Sequence, residues 1–281
     1  MEALLDNDNS IKQLKKQRTI FIGTTFLFLI STIIFIITTF IGFKAQWSSI
    51  PSESIIPVVK ESSIEGKIDA DSAAYYNRSA DVKNSKYYPI LNFYDGTVTS
   101  TLKILPKFKT YQQSSPISCG DASALMALRY FGIDTITEYD LYKEAKTMPG
   151  HGTNTENLGK ALQKLVGDKF TVTYKKDDTI IKQDEFQTMV KDCTEPSNNK
   201  VMLLESVEWG GHWMTLIGYD DMGTKDTADD VLVFADPYDT TDHNQDGYYI
   251  VSFERYFSTW FDRGILSEGH RVCQYVLIVK N

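Results

Sequence analysis

Cysteine is scarce in this chain, with three in 281 residues, which excludes a disulfide-dense secreted scaffold. Eight prolines and 17 glycines are too few for a collagenous or low-complexity chain. Basic residues are in deficit, 29 against 37 acidic, and the net charge of -8 argues against a nucleic-acid partner. Long apolar runs are also missing, with one exception. Residues 19–43 contain no charged side chain at all. A mean hydropathy of -0.26 excludes a polytopic membrane protein, and the single run excludes a simple cytosolic enzyme. The remainder, residues 44–281, is long enough for one core-bearing domain and a spacer.

The 25 uncharged residues would form a helix of roughly 37 Å at ~1.5 Å per residue, enough to cross a ~30 Å hydrocarbon core with some tilt. A cleaved signal peptide has a shorter apolar region followed by small residues, whereas this run ends in Gly42-Phe43-Lys44-Ala45-Gln46-Trp47. An uncleaved signal anchor is therefore expected. Lys12, Lys15, Lys16 and Arg18 precede it and only Lys44 follows closely, which keeps the N-terminus in the cytoplasm. The expected organisation is a cytoplasmic segment 1–18, a transmembrane anchor 19–43, an extracytoplasmic stalk 44–104 and a folded domain 105–281.

Within that domain, helices are expected over 119–131, from Thr137-x-x-Asp140 to about residue 147, from a Thr153-x-x-Glu156 capping box to about residue 166, and over 184–192. Residues 170–174, 201–207, 212–219, 231–235 and 272–279 read as strands, with a helix over 253–261 between the last two. Helices come first and strands later, the pattern of an α+β fold with a helical layer on an antiparallel sheet.

Cys119 opens the first of these helices. A helix N-terminus offers unpaired N–H groups and partial positive charge, both of which favour a thiolate over a thiol. Gly120 beside it is read as space for a substrate backbone. His212 follows Gly210-Gly211 and starts an apolar strand, the one histidine of four so placed. Asp236 ends the apolar run Val231-Leu232-Val233-Phe234-Ala235 and precedes Pro237, the place for a carboxylate that orients an imidazole on the neighbouring strand. Each alone has a plain alternative as a packed cysteine, a core histidine or a turn aspartate. Together they supply nucleophile, base and orienting acid.

Gln113-x5-Cys119-Gly120, Gly211-His212-Trp213 and Asp236-Pro237 together resemble the papain-like cysteine peptidases of the bacteriocin-processing type, over roughly residues 105–280. The resemblance implies a papain-like fold, a Cys119-His212-Asp236 triad, and Gln113 in the oxyanion hole. It implies no required cofactor. Where the family often has Pro after Cys-Gly, this chain has Asp121, whose carboxylate would oppose a thiolate if it pointed at Cys119. Readings that remain open are a cell-wall amidase or transglutaminase-like acyl transfer with the same triad, and a non-catalytic peptide-binding module. The expected substrates are secreted or surface polypeptides. A Cys193–Cys273 disulfide is also open, and would leave Cys119 as the odd thiol.

A second candidate site lies in the acidic loop. Asp242-x-Asn244-x-Asp246-Gly247 matches the first half of a calcium loop, but the twelfth position is Phe253, not Glu. No cofactor is required by this reading; the loop reads either as a solvated acidic turn or as a weak structural calcium site.

Overall fold

The computed structural model describes residue 69 and residues 72–76, 91–240, 245–260 and 272–281. The anchor expected over 19–43 lies outside them. Among the described residues no helix is long and apolar enough to cross a membrane.

The elements in chain order are α1 (Ala73–Tyr76), β1 (Leu102–Ile104), α2 (Cys119–Tyr130), α3 (Glu138–Glu144), α4 (Thr155–Val166), β2 (Phe170–Tyr174), α5 (Gln183–Thr194), β3 (Lys200–Ser206), β4 (His212–Asp220), β5 (Val231–Ala235), β6 (Tyr248–Ser252), α6 (Phe253–Trp260) and β7 (Tyr275–Lys280). The strands form one antiparallel sheet in the order β2-β7-β3-β4-β5-β6. The short β1 pairs with the far end of β4, opposing Ile104 to Gly218, so the sheet begins before residue 105.

The sheet carries helices on both faces, not a single helical layer. On one side Leu125, Leu158, Leu162 and Val166 pack against Leu203, Trp213, Ile217 and Val276. On the other, Phe186, Val190, Tyr256 and Trp260 pack against Met202, Leu204, Leu216 and Phe234. Burial on both faces explains why β3 and β4 read as unbroken apolar runs, without the alternation of a half-exposed strand. A bulge between Leu216 and Gly218 reverses the alternation within β4. Trp213 and Ile217 therefore face the first core, while Tyr219 faces the second.

Helix α2 is the central helix: every residue from Cys119 to Leu128 is buried. Its small Ala122, Ser123, Ala124 and Ala127 let it lie close to the sheet. It is pinned to β4 by Ser123 Oγ donating to Trp213 O (2.9 Å) and by Thr215 Oγ1 donating to Ser123 O (3.0 Å). The capping box of Thr137 and Asp140 starts α3 as expected. The start of α4 differs: Asn154 is the cap, accepting from Asn157 N, while Thr153 Oγ1 donates to Ala145 O. Both residues can cap a helix, and the tertiary contact with Ala145 takes Thr153 out of that role.

Part of the segment read as a stalk is attached to the domain. Asp69 N donates to Ser114 O (3.1 Å) and Ala74 N to Gln113 O (3.2 Å), and Ser72 and Ala73 are buried. Cys119, Cys193 and Cys273 are all thiols and all buried, so the 193–273 disulfide is not formed. Burial pushes the Cys193 thiol up to about 12, which leaves it inert.

Candidate active site

Antiparallel pairing of β4 with β5, Thr215 opposite Ala235, sets the start of β4 beside the end of β5. His212 and Asp236 therefore meet, with Nε2 2.7 Å from Asp236 Oδ1. Cys119, at the start of α2, lies near enough to the imidazole to act on its pKa. Since Nε2 is held by the carboxylate, Nδ1 is the ring nitrogen left to exchange a proton. All three side chains are buried. Burial opposes a charged imidazole here. The attraction and hydrogen bond of Asp236, with Cys119, more than offset it, and the His212 pKa stands well above its ordinary 6.5.

Asp236 is itself fixed from several directions. Its Oδ1 also accepts from Tyr238 N (2.8 Å), its N–H donates to Gly247 O (2.8 Å), and its carbonyl accepts from Gln112 Nε2 (2.8 Å). Gln113 N donates to Pro237 O (2.8 Å). The segment around Gln112 and Gln113 thus runs along the Asp236-Pro237 loop, which brings the fourth expected residue to the same place. The Gln113 side chain is buried, its Nε2 donating to Ser115 O (2.6 Å) and its Oε1 unpartnered. One N–H of that amide remains after the bond to Ser115.

Ser118 is the N-cap of α2 yet gives no side-chain cap, so the first N–H groups of this helix are not covered by it. Its hydroxyl instead donates to Glu138 Oε1 (2.5 Å). Glu138, the first residue of α3, also accepts from Ser114 N (3.1 Å) and from Tyr111 Oη (2.8 Å). One buried carboxylate therefore ties residues 111, 114 and 118, the stretch that carries Gln113 and ends at Cys119. Burial raises the Glu138 pKa, and the donors from Ser118, Ser114 and Tyr111 pull it down. Sequence reasoning missed Glu138, because a charged residue in a first helical turn ordinarily signals nothing beyond the helix dipole.

Asp121 does not engage Cys119. Its carboxylate accepts from Thr147 Oγ1 (2.8 and 3.1 Å), and burial, with nearby Glu138, drives its pKa well above the usual carboxylate range. A carboxyl kept neutral this way does not oppose a thiolate. Gly120 also has a different reason than expected. A Cβ there would come 2.6 Å from Thr153 Cγ2 and 3.2 Å from Trp213 Cδ1, so it serves packing of the core, not approach of a substrate.

The glycines before His212 do open space. Trp209, Gly210 and Gly211 have φ of 57°, 80° and 130°, and a Cβ at Gly210 would meet nothing within 4 Å. Of the calcium candidates, Asp242 and Asn244 lie outside the described residues. Asp246 is described, with Oδ1 accepting from Tyr248 N (2.9 Å) and its carbonyl accepting from Thr110 Oγ1 (2.6 Å).

The Peptidase_C39 like family model matches residues 105–264. No curated protein sequence matches the chain. Among solved structures, the chain is similar to the peptidase domain of Streptococcus ComA, a bifunctional ABC transporter in a quorum-sensing pathway (16% identity, 62% of this chain and 99% of that one, TM-score 0.40). It is also similar to a C39-like peptidase of Bacillus anthracis (17%, 64% and 98%, TM-score 0.43) and to the cysteine protease xylellain of Xylella fastidiosa (12%, 80% and 99%, TM-score 0.37). The family model spans more than half of the chain, and the chain therefore belongs to the C39-like peptidase family and is a cysteine-type peptidase.

Proposed function

We propose that the chain is a membrane-anchored peptidase acting outside the cytoplasm, with Cys119 as nucleophile, His212 as acid and base, Asp236 as the orienting carboxylate and Gln113 in the oxyanion hole. The observation that carries this reading is the His212 imidazole held at Nε2 by Asp236 (2.7 Å), with Cys119 close enough to act on its pKa. A charged imidazole beside the sulfur, kept charged by Asp236, favours the thiolate-imidazolium pair over two neutral groups.

In the reaction, the Cys119 sulfur attacks the peptide carbonyl carbon, and the carbonyl oxygen takes the negative charge. The backbone N–H of Cys119 and the second N–H of the Gln113 amide are the donors for that oxygen, each worth a few kcal/mol. The C–N bond breaks as His212 hands its proton to the leaving amine. Water, deprotonated by His212, then attacks the thioester carbonyl and releases the second product, with the proton back on the His212–Cys119 pair.

The anchor rests on the uncharged run 19–43 and its basic N-terminal flank, and it restricts the substrates to secreted, surface or envelope polypeptides. The test is Cys119→Ala in the full-length protein. Loss of cleavage, together with labelling of Cys119 by a small thiol reagent before Cys193 and Cys273, is expected. Undiminished turnover would remove Cys119 from the mechanism.

A further inference from the structure

Trp209 is 76% exposed, the most exposed large apolar side chain among the described residues. A tryptophan left in water three residues from His212 forgoes the burial that its large apolar ring would gain. Its backbone is left-handed (φ 57°, ψ 15°), a conformation disfavoured for a bulky side chain and held only because the surrounding turn imposes it. That turn leads through Gly210, which faces open space, directly into His212. From the loop after β5, Tyr238 brings its ring to 6.0 Å from the Trp209 ring, at 52° between planes. The Tyr238 backbone N–H is bonded to Asp236 Oδ1, so its position is tied to the His212–Asp236 pair. Two aromatic rings from two loops thus stand against each other, one three residues before His212 and the other two residues after Asp236.

We propose that Trp209 and Tyr238 form a subsite for an aromatic or branched aliphatic side chain of the peptide substrate, at the residue just after the scissile bond. This rests on the triad reading above. The side follows from the chemistry: His212 protonates the leaving amine, so the C-terminal half of the substrate lies over the imidazole, where Trp209 stands. A tilted aromatic pair gives such a side chain two faces to pack on, and the rigid rings lose little entropy in doing so.

The experiment uses full-length protein and a random peptide library, with product N-termini read by mass spectrometry, because each new N-terminus is the residue after the cut. Wild type is expected to favour Phe, Leu or Ile over Gly there. Trp209→Ala should lower the Phe-to-Gly ratio of kcat/KM about tenfold, and Trp209→Phe should restore most of it. A peptide aldehyde built from the best acyl half, which ends at Cys119 and never reaches the leaving side, should bind both forms within twofold. No apolar preference in wild type, or an unchanged ratio in Trp209→Ala, overturns the subsite. So does a parallel loss of aldehyde affinity and Cys119 alkylation, which would make Trp209 a shield of the His212–Asp236 pair. Failure of the triad reading shows separately, as wild-type cleavage that survives Cys119→Ala.

Discussion

Replacing Glu138 with alanine removes the acceptor of three donors and strands one of them. Ser114 N–H is buried, and among the described residues its bonds of 3.1 and 3.3 Å go to the two Glu138 oxygens. Ser118 Oγ has a fallback in Ser115 O at 3.2 Å. Tyr111 is half-buried, and its hydroxyl can turn to water once its 2.8 Å bond is gone. One orphaned buried N–H costs about 1–3 kcal/mol, and the lost charge-assisted bonds bring the total to about 3–5 kcal/mol. For a domain of this size that is a fall in Tm of roughly 6–20 °C. Glu138→Gln keeps one acceptor oxygen but turns an NH2 toward a hydroxyl, so its loss should fall between wild type and alanine. Glu156→Ala breaks a fully exposed ion pair with Lys160 and should leave Tm unchanged. Differential scanning calorimetry on the four proteins decides the matter. An alanine variant melting within 2 °C of wild type, or a glutamine variant less stable than alanine, would refute the view that Glu138 holds the 111–118 segment by accepting from it.

Two further predictions concern pH. The His212 pKa lies above 6.5 through Asp236, so the alkaline limb of kcat/KM, where the imidazole loses its proton, should lie above pH 6.5. Asp236→Asn removes the upward pull and leaves the burial that opposes charge. The limb should move to lower pH and kcat/KM should fall on the order of 10²–10⁴-fold; an unmoved limb would exclude Asp236 as the cause. For Asp121 the sign is opposite in effect on stability. The folded state keeps a proton that the unfolded chain releases above about pH 4, so this group costs stability as pH rises from that value toward its raised folded pKa. Asp121→Asn has no proton to lose, and should raise Tm at pH 8 while changing little at pH 4; equal effects at both would show that Asp121 is not held neutral.

Much of the fold was written in local patterns. β2 and β5 lie where alternation and β-branched content place them, and α2, α5 and α6 agree with their apolar spacing to within two residues. β6 was missed because Tyr248–Ser252 follows an acidic turn and alternates little, and β1 because three residues are too few for any period. Thr153 shows how a tertiary partner overrides a sequence signal: its hydroxyl prefers the Ala145 carbonyl, and Asn154 takes the cap.

The sequence by itself determined which chemistry-bearing residues exist and where in their elements they stand: a cysteine at a helix start, a histidine at a strand start, an aspartate at a strand end. These are local facts, set by periodicity, capping and turn residues along a few positions. That His212 and Asp236 meet was decided by the β4–β5 register, and that Asp121 turns to Thr147, that Thr153 and Trp213 close on Gly120, and that Glu138 sits buried against the 111–118 segment were decided by tertiary contacts. Side-chain direction and burial depend on partners far away in the chain, so no local pattern carries them. They exist only once the helices close on the sheet.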